Sequence, residues 1–415
     1  MFALGKIPSV NSFPTRDEIA DEQTCLLEVC VCPQCFLVQL SELVPPERLF
    51  TEYRYLSAAS NTWVRYLGDL AAMLTERFQI TAETRILETG SNDGTLLAAF
   101  LPRTRHVLGV DPARNLVADA AARGVPTVAE FLNEATSEHI VRDHGQFDLI
   151  LGLNVYAHTP DLLGILRGTH NLLTPHGTFV MEAVHVLKTI LRGAYDTVYH
   201  EHVFCYSLTT LREQYARAGL AITDVEETPM HGGSLRVYAQ RADSHPAIAV
   251  SVAQMLEAEC IAGVTDLAMY QRVGESVRQH RHALREGVEA LKRHHGRVWA
   301  LGASARGVVI LNAGKLDTAL LDAVVDDTPL KQGRVVPGVH VPVVGWEALR
   351  DAPEQPAAFL LTSWNFEREV FDKLRRLGGV REAEILIPFP DMRTVHLEPV
   401  HGQALPSAPG RTPER

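Results

Sequence analysis

The spacing of apolar residues changes character along the chain. Up to about residue 60 no period is sustained, and Pro8, Pro14, Pro33 and the Pro45–Pro46 pair interrupt the run, which predicts a small irregular module. From Asn61 to Phe78 the residues Trp63, Leu67, Leu70, Ala71 and Leu74 recur at helical spacing, so an amphipathic helix is expected there. From Thr84 short β-rich runs alternate with helical stretches. The candidate strands are Arg85–Glu88, His106–Val110, Phe147–Leu151, Gly177–Glu182, Leu220–Val225 and Ser234–Ala239. Ser207 is placed to cap a helix whose apolar face is Leu208, Leu211, Tyr215 and Ala218, closed by Gly219. This alternation predicts an α/β fold with a mostly parallel, doubly wound sheet ending near Arg241.

Residues from about Ile248 to His295 read as helical, and a second α/β pattern starts at Arg297–Leu301. Leu320–Val325, Val341–Val344 and Ala358–Leu361 add strand-like runs, so two similar folds in tandem are expected. After Glu398 the chain turns polar and Pro-rich, the composition of a disordered tail.

Composition narrows the function. Apolar residues make up 46% and charged residues 21% of 415, an ordinary globular mixture that excludes collagen-like, disordered and disulfide-stapled classes. With 39 basic against 50 acidic residues the net charge is −11, which disfavours a nucleic-acid-coating surface. No run approaches the roughly 18 apolar residues of a membrane span, and the N-terminus lacks the pattern of an export signal. A cytoplasmic location with no membrane or nucleic-acid partner is expected. Cys25, Cys30, Cys32 and Cys35 crowd together, and only Cys32-Pro-Gln-Cys35 has C-x-x-C spacing. The cluster is either a structural zinc site or a set of reduced, partly buried thiols.

Four segments carry the chemistry. Glu88-Thr-Gly90-Ser-Asn92-Asp93-Gly94 lies where a strand turns into a helix. Gly90 permits close approach of a ligand and Gly94 a tight turn, in G-x-x-x-G rather than G-x-G-x-x-G spacing. Asp111 ends the next strand, where an acid in related sheets grips ribose hydroxyls. Asn154 and His158 follow a third strand, outside its carboxyl end. Tyr199-His200-Glu201-His202 gathers bases, an acid and a phenol: if helical, Tyr199 shares a face with His202, and if extended, His200 does. His231-Gly232-Gly233 marks a turn before a strand. In the second α/β segment, Gly302-Ala-Ser-Ala-Arg306-Gly307 and Lys331 suit a phosphate, or are a tight turn with solvated bases.

In order, these segments resemble the S-adenosylmethionine-dependent sugar C-methyltransferases of antibiotic deoxysugar pathways, which build branched sugars such as mycarose, noviose and tetronitrose. The resemblance runs from Leu4-Gly-Lys-Ile-Pro8-Ser-Val-Asn11 to Lys331-Gln-Gly-Arg334. Its most specific pieces are Gly90–Leu97, Tyr199–His202, His231–Tyr238 and Cys32–Leu40. It implies an N-terminal zinc-binding-type module (1–62), a class I Rossmann-like methyltransferase domain (63–242), a C-terminal Rossmann-like domain (243–398) and a tail (399–415). It also implies S-adenosylmethionine and structural zinc as cofactors. The family's first C-x-x-C precedes the Leu-Gly-x-x-Pro segment at which this chain begins, so Cys25, Cys30, Cys32 and Cys35 are the ligands at hand. Cys205 stands where an aromatic is common in the family.

Carried over by motif, His202 is the implied general base, with Tyr199, Glu201 and His158 lining the sugar site and Tyr53 reaching it. Glu88, Gly90, Asn92, Asp93, Gly94, Asp111 and Asn154 are expected to bind the cofactor. His231, Arg306 and Lys331 are expected to bind the substrate, a thymidine-diphosphate-linked 4-keto-6-deoxysugar lying between the domains. The implied reaction methylates the carbon beside the C4 ketone, C3 in preference to C5, through an enolate donated to by Tyr199 or His158, with Glu201 orienting a histidine. A monomer or small homo-oligomer is expected. The alternatives are an O- or N-methyltransferase and a non-catalytic nucleotide-binding protein.

Overall fold

The computed structural model describes residues 1–53, 56–352, 355–377 and 382–397; the tail expected after 398 lies outside them. Two compact units divide the chain, Met1–Ser12 with Asp21–Arg281, and Phe13–Ala20 with the chain from His282 onward.

The first unit holds two sheets. Its strands are β1 (Phe2–Pro8), β2 (Thr24–Val31), β3 (Val38–Leu40), β4 (Ile86–Thr89), β5 (Val107–Val110), β6 (Thr127–Val128), β7 (Phe147–Leu153), β8 (Leu173–Val184), β9 (Phe204–Cys205), β10 (Leu220–Thr228) and β11 (Ser234–Arg241). The larger sheet runs β10-β11-β8-β7-β4-β5-β6, parallel except that β11 is antiparallel to both its neighbours. This is the doubly wound sheet expected from the alternation. On one face the helix Asn61–Arg77 buries Leu67, Leu70, Ala71 and Leu74 against Ile86, Leu149, Leu151 and Val180. Ser60 caps it, its Oγ accepting from the Trp63 N–H. On the other face the helix Leu208–Arg217 is held by the capping box of Ser207 and Thr210. Buried Glu259 also accepts from the N–H groups of Leu208 (2.6 Å) and Thr209 (2.7 Å) and lies 2.9 Å from His185 Nε2. An anion there complements the positive end of the helix.

The smaller sheet, β1-β2-β3-β9, corrects the expectation of an irregular start. The strands are short, and the prolines that hid them occupy the end of β1 and the turn after β2. The distant β9 completes this sheet, with Val38 opposite Cys205 and Gln39 opposite Phe204, while neighbouring Tyr206 bridges to His185 at the end of β8. The segment carrying the two histidines is therefore clamped from both sides.

The second unit is also a Rossmann-like sheet. Its strands are β12 (Val298–Leu301), β13 (Ala323–Val325), β14 (Val343–Val344), β15 (Ala358–Leu361), β16 (Ala383–Ile387) and β17 (Arg393–Leu397), in the order β14-β13-β12-β15-β16-β17, with β17 antiparallel. The strand-like runs at 320–325 and 341–344 are realised over their last residues. No described helix is long and apolar enough to cross a membrane.

Candidate active site

The carboxyl ends of β4, β5 and β7 meet around one loop. Gly90 has φ +67°, and a Cβ there would lie 2.2 Å from Val155 Cγ2, so only glycine lets the loop pass. Asp111 locks it: its two oxygens accept from the N–H groups of Asn92 (2.8 Å) and Ala113 (2.9 Å). Gly94, at φ +75°, starts the next helix. Beside the loop lies a set of buried polar atoms without partners: Glu88 Oε2, Ser91 Oγ, Asn154 Nδ2 and His158 Nε2. Burial, then the carboxylates of Asp111 and Asp93, push the Glu88 carboxyl well above its usual range. Such orphaned groups cost about 1–3 kcal/mol each unless a ligand meets them.

Asn92 and Asp93 face another way. Asn92 Oδ1 accepts from Ser57 N–H and Asp93 Oδ2 from Ala58 N–H, both at 2.9 Å, so their side chains fasten the turn Ser57–Ala59 to the loop.

The histidines form a second group. Tyr199–His202 is neither helix nor strand but a turn, with His202 N–H donating to the Tyr199 carbonyl at 2.8 Å. The turn brings their rings to 3.9 Å with a tilt of 35°, the pairing expected of a helix reached without one. His202 Nδ1 donates to the Thr197 carbonyl at 2.8 Å. A carbonyl only accepts, so in the neutral ring Nδ1 carries the proton and Nε2 the basic lone pair. His158 stacks on His202 at 5.2 Å and 17°, and Phe50 also stacks on His158, at 5.2 Å and 7°. His158 is half-buried as a residue, but its Nε2 is enclosed. Burial pushes its pKa down to about 4, so it is neutral at physiological pH.

Glu201 is buried and accepts from Asn11 Nδ2 (2.6 Å) and the Tyr53 hydroxyl (3.0 Å). This corrects the expectation that Glu201 orients a histidine: the Thr197 carbonyl orients His202. His200 lies 3.3 Å from the Cys25 carbonyl. His231 is at φ +54° with its ring 5.4 Å from Trp63, whose neighbour Tyr66 joins Arg236 and Glu182 in a buried network. Phe50, Asn11 and Thr197 escaped the sequence reading, because each acts through a contact set by the tertiary fold.

Arg306 and Lys331 belong to the second unit. The Arg306 guanidinium lies 4.6 Å from the Trp364 ring, and Lys331 Nζ donates to the Ala303 carbonyl at 2.9 Å. Burial lowers the Lys331 pKa.

The four cysteines do not fit a closed zinc site. Cys25 and Cys30 sit five residues apart on β2, about 17 Å at the rise of a strand, and Cys30 donates weakly to the Gln39 carbonyl. Cys32 and Cys35 face each other across a turn, where the Cys35 N–H pulls the Cys32 thiol down and burial pushes the Cys35 thiol up. Among the described residues no three His, Cys, Asp or Glu side chains gather to hold an ion.

Comparison with known proteins sets this geometry in a family. Residues 60–225 match the family model described as "Methyltransferase domain", residues 229–390 "C-methyltransferase C-terminal domain", and residues 1–50 "Putative zinc binding domain". C-methyltransferase NovU of Streptomyces niveus is 31% identical over 94% of this chain and 92% of its own. The chain belongs to the C-methyltransferase family of NovU. This C-methyltransferase is also 26% identical to a ubiquinone biosynthesis O-methyltransferase of Pseudomonas aeruginosa, over 28% of the chain and 57% of the relative. A solved S-adenosylmethionine-dependent methyltransferase from Mesorhizobium loti overlaps 42% of the chain and all of its own length, at 18% identity and a TM-score of 0.33.

S-adenosylmethionine is the methyl donor of the family, and the residues fit it: an unpartnered carboxyl oxygen, Oε2 of buried Glu88, an unpartnered amide nitrogen, Nδ2 of Asn154, and a loop held open at Gly90. For zinc, the described cysteines of this C-methyltransferase supply one pair.

Proposed function

We propose that this C-methyltransferase acts on a thymidine-diphosphate-linked 4-keto-6-deoxysugar and places a methyl group on the carbon beside the C4 ketone, C3, in natural-product deoxysugar biosynthesis. The observation that carries the reading is the stacked pair of imidazoles. One, His202, has its basic lone pair on Nε2; the other, His158, is neutral and has an unanswered, enclosed Nε2.

A carbon beside a ketone is acidic enough to react only when a base takes its proton while the oxygen's growing charge is met. His202 Nε2 takes the proton. The Nε2–H of neutral His158 and the Tyr199 hydroxyl donate to the enolate oxygen. Tyr53 and Glu201 hold a sugar hydroxyl. Glu88, Asn154 and the backbone at Gly90 and Gly94 take the cofactor's methionine end and Asp111 its ribose, while Asn92 and Asp93 keep Ser57–Ala59 against the loop. When bound, S-adenosylmethionine supplies a sulfonium methyl, the electrophile for the carbon. His231 lines the substrate side, and Arg306 and Lys331 neutralise the diphosphate.

Incubation of the thymidine-diphosphate ketosugar in heavy water without methyl donor tests the base. Deuterium is expected to enter at C3, read by NMR, and to enter at least about 100-fold more slowly with His202→Asn. Equal exchange in the variant refutes the assignment of the base, and exchange at C5 refutes the position.

A further inference from the structure

We infer that Asn11 is the positioning residue of the site, its side-chain amide holding the Glu201 carboxylate ionised and aimed beside Tyr53. This rests on the ketosugar reading for its consequence in turnover, though not for its existence in the fold.

Asn11 and Glu201 are 190 residues apart in sequence, yet their side chains meet at 2.6 Å, within the short range of hydrogen bonds to a charged acceptor. The two carboxylate oxygens take one donor each, from different parts of the chain. Oε1 accepts from Asn11, on the turn after β1, and Oε2 from Tyr53, shortly before the helix Asn61–Arg77. A carboxylate so held is acceptor-only, and both donors suit the anion rather than the acid. Glu201 is only 4% exposed, and burial favours the neutral form, against which the two donors work. Among the described residues its hydrogen-bond donors are the Asn11 amide and the Tyr53 phenol, and His200 and His202 are its neighbours in the chain. Burial raises the Glu201 pKa, while Asn11 and Tyr53 act against that rise. With Asn11 and Tyr53 each donating to one oxygen, the Glu201 carboxylate is fixed beside the Tyr53 hydroxyl, where it can accept from a sugar hydroxyl. Without Asn11, one of the two donors that oppose burial is gone, and the Glu201 pKa rises further.

The test is a pH titration of side-chain carboxyl carbons by NMR in glutamate-labelled protein, with the Glu201 signal identified by its loss in Glu201→Gln. Asn11→Leu is expected to move the Glu201 midpoint up by about one pH unit or more, the worth of one hydrogen bond to a charged group. Asn11→Asp, of the same shape but carrying a second carboxylate, is expected to move it further. An unmoved midpoint in both variants overturns the inference. The acid limb of kcat/KM is expected to rise with the midpoint in Asn11→Leu and to show no further change when that substitution is added to Glu201→Gln. A limb that moves equally in the Gln background also overturns it. A shifted midpoint in a protein that does not turn over the ketosugar leaves Asn11 in place and refutes the substrate. Turnover with an unmoved midpoint does the reverse.

Discussion

Replacing Phe50 by Ala should raise the pKa of His158. Phe50 and His202 both stack on that imidazole, each with ring centroids at 5.2 Å, Phe50 at 7° and His202 at 17°. The drop from 6.5 to about 4 is caused by burial. At about 1.4 kcal/mol per pH unit it corresponds to roughly 3 kcal/mol against the charged ring, an upper value because the residue is only half-buried. Removing one of the two stacked rings should return about half, so a midpoint near 5 is expected. The sign follows from the depressed folded value: His158 stabilises the fold above pH 6.5, and this contribution is lost as pH falls toward 4. In Phe50→Ala less is lost, and less is there to lose. The imidazolium then forms beside His202 near pH 5, lowers that neighbour's basicity, and cuts kcat/KM on the acid side. Titration of the His158 Cε1 proton by NMR, with the signal assigned by His158→Asn, reads the midpoint directly. Phe50→Leu keeps an apolar cover and should move it less. A wild-type midpoint near 6.5, or one unmoved by Phe50→Ala, refutes the reasoning.

Two further substitutions probe the loop and the network behind it. Gly90→Ala puts a methyl 2.2 Å from Val155 Cγ2 at φ +67°, a strain of about 1–2 kcal/mol before the clash is relieved; calorimetry should show S-adenosylmethionine binding weakened at least about tenfold, and a change under twofold would exclude a cradle at Gly90. Arg236→Met leaves the Glu182 carboxylate, 0% exposed, without its cation, so urea unfolding should show a loss of about 3–5 kcal/mol, partly recovered in the double variant with Glu182→Gln; a loss under about 1 kcal/mol would mean that Tyr66 alone satisfies that carboxylate.

The cofactor half of the site was legible because its signals are local. A strand ending in Glu88, glycines at 90 and 94, and an acid ending the next strand all lie within one βαβ unit, where chain order and spatial order coincide. The sugar half was legible as residue types, since Tyr199, Glu201 and His202 crowd into four positions. Their geometry was not, for two regular patterns were weighed and a turn was found. Phe50, Asn11 and Thr197 could not be singled out, because an asparagine or a phenylalanine in a Pro-broken stretch looks like any loop residue. The cysteine count suggested four ligands, but β2 holds Cys25 and Cys30 apart. The strands of the first sixty residues were missed for a related reason: they are short, and one of their partners, β9, pairs Gln39 with Phe204 from far along the chain.

Sequence by itself determined the doubly wound sheets, the capped helices and the glycine loop, for these follow from periodicity, capping and backbone freedom within about thirty residues. Tertiary structure decided which imidazole is neutral, which is oriented and by what, and where the buried carboxylate finds its donors. Those depend on burial and on hydrogen bonds between side chains that only a folded chain brings together, and no local pattern encodes a desolvation.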